Sequence, residues 1–146
     1  INESFELFKE ERYGKSTDLV DEVLSISPLS IEALYLKSLL LSQSKSYVKS
    51  LVCLEKIISL GRSDANVYSQ RGIVFLGLKS LDEAISSFQK SIELDPLNID
   101  YYKLRSESFI MNNDIDSAID SITETLNIFP EDVDSQKRLK SILKTD

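Results

Sequence analysis

The chain has 146 residues, of which 42% are hydrophobic and 28% charged, and this composition is that of a folded domain rather than a disordered tail. A formal net charge of −7 argues against a non-specific nucleic-acid or anionic-membrane surface, because both attract clusters of Lys and Arg. Because Cys53 is the single cysteine and histidine is absent, an intrachain disulfide is excluded and the usual zinc and haem ligands are missing. We therefore expect no metal and no cofactor.

The start of the chain suggests a piece of a longer protein. The sequence opens with Ile1 instead of Met and shows no apolar segment of a signal peptide, so we expect a piece of a longer, intracellular protein, cytoplasmic or nuclear. The longest apolar run, around residues 39–41, is far too short to span a membrane.

The prolines reveal an internal period. The interval from Pro28 to Pro96 is twice the interval from Pro96 to Pro130. The chain has 3 prolines, so all of them share one register. Self-similarity at a fixed period, here about 34 residues, indicates a repeat architecture.

The first repeat is predicted to hold two helices. Residues 2–11 place Phe5 among acidic residues in a short helix, and Tyr13, Gly14 and Lys15 are interpreted as the turn that follows. Apolar residues then recur at three- and four-residue steps up to Pro28, which predicts one amphipathic helix.

The second repeat begins at Ser30, which can cap a helix that runs to about Gln43. A partner helix follows from about Tyr47 to Leu60. Gly61 is expected to end it, because glycine adopts the left-handed conformation without a Cβ penalty.

The third and fourth repeats carry the clearest helix signals. Ser80 and Glu83 form a predicted capping box, and Asp114 is the predicted cap at the matching place in the fourth repeat. Pro96 and Pro130 close these two repeats.

A last helix, which Asp132 can cap, has no second helix to pair with inside this chain. Its apolar side is expected to cover the last repeat, as the end of an open stack requires. The basic residues around it are interpreted as a solvated face, the alternative being a docking site: Lys137, Arg138, Lys140 and Lys144.

Superposing the repeats gives small residues at two recurrent points, which predicts close approach of the paired helices. The first helices supply Ser38, Gly72 and Ser106, and the second helices supply Ser16, Ser50, Ala84 and Ala118. Large residues stand nearby: Leu41, Phe75, Phe109, Val20, Leu54, Phe88 and Ile122.

This pattern resembles the tetratricopeptide repeat family, in which aromatic and small residues, then Ala, Phe and Pro, recur over about 34 residues. Residues 65–98 match at Tyr68, Gly72, Phe75, Ala84, Phe88 and Pro96, and residues 99–132 match at Tyr102, Phe109, Ala118 and Pro130. The resemblance implies an all-α, right-handed superhelical solenoid of antiparallel helix pairs. It would form a single domain with repeats at 1–30, 31–64, 65–98 and 99–132 and a capping helix at 133–146.

In that family the first helix of each pair lines a concave groove that holds a segment of a partner protein. The matching positions are Phe5, Phe8, Lys9, Glu32, Tyr35, Leu39, Ser42, Gln43, Asn66, Ser69, Gln70, Ile73, Asp100, Lys103, Glu107 and Ile110. For Tyr35, Leu39 and Ile73 the alternative is a contact with the neighbouring repeat.

A subset of the family holds the acidic carboxyl-terminal tails of chaperones with Lys, Arg and Asn. The matching positions here are Tyr35, Leu39, Gln70, Asp100 and Leu104, or in a second register Ile1, Phe5, Leu36, Asn66 and Gln70. Neither set holds a positive charge, so we expect the chaperone-tail clamp to be absent.

The resemblance therefore predicts a non-catalytic module that binds a protein or peptide. A catalytic triad cannot be built without histidine, and the acid pairs are typical of solvated helix ends. Two alternatives stay open: a scaffold or self-association segment of a longer solenoid, and an accessory domain of an enzyme.

Overall fold

The structure is a computed structural model that describes residues 13–62 and 64–144. The expected helix at 2–11, with Phe5, Phe8 and Lys9, lies outside the described residues. The described part is all-α and consists of α1 (Tyr13–Ile26), α2 (Ile31–Gln43), α3 (Tyr47–Ser59), α4 (Ala65–Gly77), α5 (Leu81–Leu94), α6 (Ile99–Met111), α7 (Ile115–Ile128) and α8 (Val133–Leu143).

The period of the sequence is also the period of the helices. The first helices α2, α4, α6 and α8 start one period apart, and so do the second helices α1, α3, α5 and α7. The last helix, α8, therefore occupies the register of a first helix.

The chain divides into two compact units, Ile1–Ser63 and Asp64–Asp146. In the first unit α2 packs against both α1 and α3. In the second unit each helix from α4 to α8 packs against the next one along the chain. The prediction of sequentially packed antiparallel helix pairs is confirmed.

Most of the predicted amino-terminal caps are confirmed. The Ser30 hydroxyl accepts from the Ala33 amide at 3.3 Å, and the Asp114 carboxylate accepts from the Ser117 amide at 3.2 Å. The Asp132 carboxylate caps α8 in the same way, with the Ser135 amide 2.9 Å away.

The helix begins after Ser80 as predicted, but the predicted capping hydrogen bond of the Ser80 side chain is wrong. Ser80 stands at the cap position but its side chain makes no capping hydrogen bond. Its ψ of 77° differs from the 111° of Ser30, whose hydroxyl does reach an amide. Asp114 caps at a ψ of 78° because its side chain is one bond longer.

The interpretation of residues 13–15 as a turn is also wrong, because they lie inside α1. Gly14 has a negative φ, and no atom lies within 4 Å of the place where a Cβ would be. Glycine here is tolerated by the helix and does not end it.

The carboxyl ends of the first helices share one turn, in which a left-handed residue follows the helix. The residues are Lys45, Lys79 and Asn113, with φ between 57° and 62°, and they too lie one period apart. Gly61 ends α3 with a φ of 86°, as its sequence position predicted.

The small residues explain how close the paired helices lie. A Cβ built on Gly72 would be 2.6 Å from Cε1 of Phe88, so only glycine lets that ring sit against α4. Ser50 instead donates from its hydroxyl to the Ser38 carbonyl at 2.7 Å. These contacts confirm the two recurrent small positions as packing positions.

Each unit has its own apolar core. In the first unit Val20, Leu36 and Leu40 form a buried cluster, against which Leu24 and Leu39 pack. In the second unit the cluster consists of Ile92, Tyr101 and Tyr102, with Ala65 and Phe129 beside it. The Tyr102 hydroxyl donates to the Pro96 carbonyl at 2.8 Å, so the aromatic residue of one repeat binds the proline turn before it.

Candidate partner-binding surface

The predicted groove residues of the first unit all lie on α2. Glu32 and Gln43 are exposed, and Tyr35 and Ser42 are half-buried. Leu39 packs against the core cluster of Val20, Leu36 and Leu40. The contact with neighbouring helices, which the sequence left open as an alternative for Leu39, is therefore present.

On α4 of the second unit the predicted residues differ strongly in exposure. Asn66 is exposed, and its side-chain oxygen accepts a hydrogen bond from the Tyr101 hydroxyl at 2.8 Å. Ser69 and Gln70 are only 8% and 7% exposed. Ile73, one turn further on, is 38% exposed and presents an apolar surface.

On α6 the predicted groove residue Lys103 forms ion pairs within the protein. The Lys103 ammonium lies 3.0 Å from an oxygen of Asp132 and 3.6 Å from an oxygen of Asp134. Asp100 and Glu107 on the same helix are exposed, and Ile110 is half-buried. Lys103 therefore connects α6 to the start of α8. Its positive charge is already balanced by the carboxylates of Asp132 and Asp134.

The ionisation of these groups follows from their contacts. Hydrogen bonding to Asp132 raises the pKa of Lys103 above 10.5. The Ser135 hydroxyl, followed by the Ser135 amide and Lys103, holds the pKa of Asp132 below its ordinary 3.8. Burial raises the pKa of Tyr101, so its hydroxyl keeps the proton that it donates to Asn66.

Two interhelix contacts thus bring α4, α6 and α8 side by side. Tyr101 joins α6 to α4 and Lys103 joins α6 to α8. We call the residues along this side the second-unit face: Asn66, Ser69, Gln70, Ile73, Asp100, Lys103 and Glu107.

Sequence reasoning missed the most strongly bonded side chain of this unit, Arg105. It is 6% exposed, and its guanidinium donates to Ser121 at 2.9 Å, to Gln89, and to Glu124 at 2.6 Å. It also lies over the ring of Tyr102, 5.5 Å from the centroid. The guanidinium therefore ties α6 to both α5 and α7.

A signal for Arg105 was present in the sequence. Lys37, Arg71 and Arg105 are spaced by one period each, so a cation recurs at one place in three repeats. Lys37 bonds Asp21 at 2.6 Å, and Arg71 donates to Ser87 at 2.9 Å. In each case the partner comes from the second helix that precedes or follows, so this cation connects helices.

Beside Arg71 and Arg105 lie two open clefts of about 270 and 230 Å³. The first is lined by Tyr68, Ser86, Lys90 and Glu93, and the second by Phe109, Ser117, Asp120 and Glu124. Each cleft is lined by basic and acidic side chains, so neither cleft favours a ligand of one charge.

The remaining candidates have structural roles. Cys53 is buried, and burial raises the pKa of its thiol, which makes it a core residue. Among the described residues there is no group of three metal-ligating side chains, and none of the described helices is long and apolar enough to cross a membrane. The basic side chains of α8 are exposed or half-buried, as expected of a solvated face.

Comparison with known proteins agrees with this architecture. Residues 65–96 match the sequence model of the protein family described as "Tetratricopeptide repeat". A solved MamA structure from Desulfovibrio magneticus RS-1 is similar at 25% identity with a TM-score of 0.82, over 89% of this chain and 73% of that one. Residues 65–96 are therefore a tetratricopeptide repeat, and the described helices have the fold of tetratricopeptide repeat proteins.

Two further solved structures share the fold of this chain. YrrB, titled a TPR protein with an unusual peptide-binding site, has 15% identity and a TM-score of 0.80 over 97% of this chain and 73% of that one. The first TPR of Spaghetti (RPAP3), bound to the HSP90 peptide SRMEEVD, has 16% identity and a TM-score of 0.66 over 78% and 93%. No curated protein sequence matches. The chain carries a repeat domain of the protein-interaction type, and modules of this type are typically non-catalytic.

Proposed function

We propose that this domain binds a segment of a partner protein along the second-unit face. The observation that carries the proposal is the pair of contacts, Tyr101 with Asn66 and Lys103 with Asp132, that join the first helices α4, α6 and α8. Because these contacts involve the face itself, they hold its side chains in place before a partner arrives. A preorganised surface loses less entropy on binding.

The chemistry of the face indicates what the partner segment should offer. Ile73 is an exposed apolar anchor between polar neighbours, and Lys103 is neutralised by Asp132 and Asp134. Asp100 and Glu107 leave the exposed charges of α6 acidic. We therefore expect a segment with an apolar side chain and uncharged polar groups rather than a terminal carboxylate.

The solved relatives offer support by analogy. YrrB is described as having a peptide-binding site, and the Spaghetti domain holds a peptide. For the first unit, the positions on α2 remain a prediction of the same kind, with Glu32, Tyr35, Ser42 and Gln43 as the residues concerned.

The test uses a phage library of random 12-residue peptides, selected on the whole chain and then synthesised for titration. Replacing Ile73 by Ala should weaken the selected peptides about tenfold, because the apolar anchor is lost. Leu97→Ala is the matched control, since Leu97 is also exposed, at 76%, but lies in the loop between α5 and α6.

Three outcomes would contradict the proposal. They are a selection that yields no binder, equal affinity of wild type and Ile73→Ala, and an equal loss with Leu97→Ala. As a further arm, the peptide SRMEEVD should show no saturable binding, and a micromolar Kd for it would overturn the prediction that the chaperone-tail clamp is absent.

A further inference from the structure

Two adjacent side chains on α4 stand apart from the other buried polar groups of the protein. Ser69 and Gln70 are each more than nine-tenths buried. The other buried polar or charged side chains among residues 13–62 and 64–144 have a hydrogen-bond or ion-pair partner, and these two have none within that part of the chain. Native proteins pair nearly all such groups, so an unpaired neighbouring pair requires an explanation.

The isolation of Ser69 has a visible cause. Buried serines in these helices usually donate to the carbonyl one turn earlier, as Ser87, Ser106 and Ser108 do. For Ser69 that carbonyl belongs to Ala65, and it already accepts from the Ser91 hydroxyl at 2.8 Å. The contact of α4 with α5 therefore leaves the Ser69 hydroxyl without its ordinary local acceptor.

The polar ends of both side chains are nevertheless open to solvent. Among the described residues, no completely buried side-chain nitrogen or oxygen lacks a partner. The Ser69 hydroxyl and the Gln70 amide lack one, so their polar atoms must reach the surface although the rest of each side chain is covered. We use the name α4 recess for these two side chains, Ser69 and Gln70, whose polar atoms stay accessible although the rest of each side chain is buried.

The α4 recess lies within the second-unit face, between Asn66 and Ile73. Asn66 on one side is already occupied by the Tyr101 hydroxyl, whereas Ile73 on the other side is exposed and apolar. Ser69 and Gln70 are thus the buried polar side chains of α4 without a partner, and they lie directly beside the apolar anchor Ile73.

We propose that Ser69 and Gln70 bind a backbone amide of the partner, held in extended conformation, while Ile73 contacts an adjacent apolar side chain. A glutamine amide offers one acceptor and two donors, which complement a peptide N–H and C=O. A carboxylate is disfavoured because the recess has no cation, and an apolar group would leave both polar groups unpaired. A helical partner is disfavoured because its backbone groups bond one another. This proposal rests on the proposed function above.

The test compares variants in which the recess is made apolar. Gln70→Leu and Ser69→Ala remove the two polar groups at little change in volume. Because neither group has a partner in the protein, we expect both variants to melt at or above the wild-type Tm. We expect the selected 12-residue peptides to bind Gln70→Leu at least tenfold more weakly than the wild type.

Gln136→Leu provides the matched control for glutamine replacement. Gln136 donates from its side chain to the Pro130 carbonyl at 2.7 Å and lies outside the second-unit face. Its replacement should lower the Tm and leave peptide affinity unchanged. This is the reverse of the pattern expected for Gln70→Leu.

A scan of singly N-methylated peptides tests the backbone contact itself. One methylation should weaken binding to the wild type at least tenfold and have little effect on binding to Gln70→Leu, because coupled groups show non-additive losses. Additive losses, or wild-type affinity of Gln70→Leu, would overturn the assignment of the α4 recess. If Ile73→Ala still weakens binding in that case, the proposed function stands and only this inference fails, whereas a selection without binders overturns both.

Discussion

Lys79 adopts a left-handed backbone conformation, with a φ of 61°, in the turn between α4 and α5. Lys45 and Asn113 do the same in the neighbouring repeats. The turn is needed because the amides after the helix bond back to its last carbonyls, as Ser80 does to Phe75 at 2.9 Å. A lysine in this conformation is strained by its Cβ, and glycine would not be.

Replacing Lys79 by Gly should therefore stabilise the protein by about 0.5–1 kcal/mol, since the relief of strain outweighs the larger entropy that glycine loses on folding. Urea unfolding at pH 7 measures the effect. Lys79→Ala is the control, because it removes the same charge and keeps the Cβ. An equal gain in both variants would assign the effect to charge instead of backbone conformation.

At the scale of helices, α8 depends on Asp132 for both its cap and its link to α6. The Asp132 carboxylate accepts from the amide and hydroxyl of Ser135 and from Lys103. All three contacts favour the ionised form and lower the pKa of Asp132. A carboxyl with a lowered pKa adds stability above its unfolded value, and this contribution declines as the pH falls through the folded value.

We expect Asp132→Ala to destabilise the protein by about 1 kcal/mol at pH 7, through loss of the cap. Asp132→Asn keeps a capping oxygen and removes the charge, so it should lose less. The stability difference between wild type and the Asn variant should shrink as the pH is lowered below 3.8. Chemical denaturation at several pH values provides the measurement, and a difference that stays constant down to pH 2 would rule out the charge contribution.

The helices themselves were largely predictable, and the exceptions have local causes. Caps at Ser30, Asp114 and Asp132 were predicted because side-chain length and position suffice for them. The predicted cap at Ser80 was wrong, because its side chain makes no capping hydrogen bond at a ψ of 77°. The turn at 13–15 failed because glycine was interpreted as a helix end, although only its backbone angle decides that role.

For the whole molecule, the division into Ile1–Ser63 and Asp64–Asp146 predicts that a destabilising mutation acts mainly on the unit that contains it. In a repeat protein each helix pair is stabilised mainly by its neighbours, so damage to one pair should spread first within its own unit. Gly72 allows a direct test, because a Cβ there would collide with the ring of Phe88.

Gly72→Ala should destabilise the protein by about 1–3 kcal/mol, the usual range for an overpacked core. Amide hydrogen exchange should accelerate more in α4 and α5 than in α1 to α3. Gly14→Ala is the control, because no atom lies near that position and alanine favours a helix. Uniform acceleration along the whole chain would show that the two units unfold as one.

The amino-acid sequence by itself determined the helical repeat, its period, the small packing positions and most helix ends. These properties depend on interactions between residues close in sequence, or on a pattern that recurs and can be superposed. Only the tertiary structure decided which polar side chains are already paired with one another: Tyr101 with Asn66, Lys103 with Asp132, and Arg105 with Gln89. It also decided that Ser69 and Gln70 are buried without partners, because that depends on how α4 is covered and on Ser91 occupying the Ala65 carbonyl.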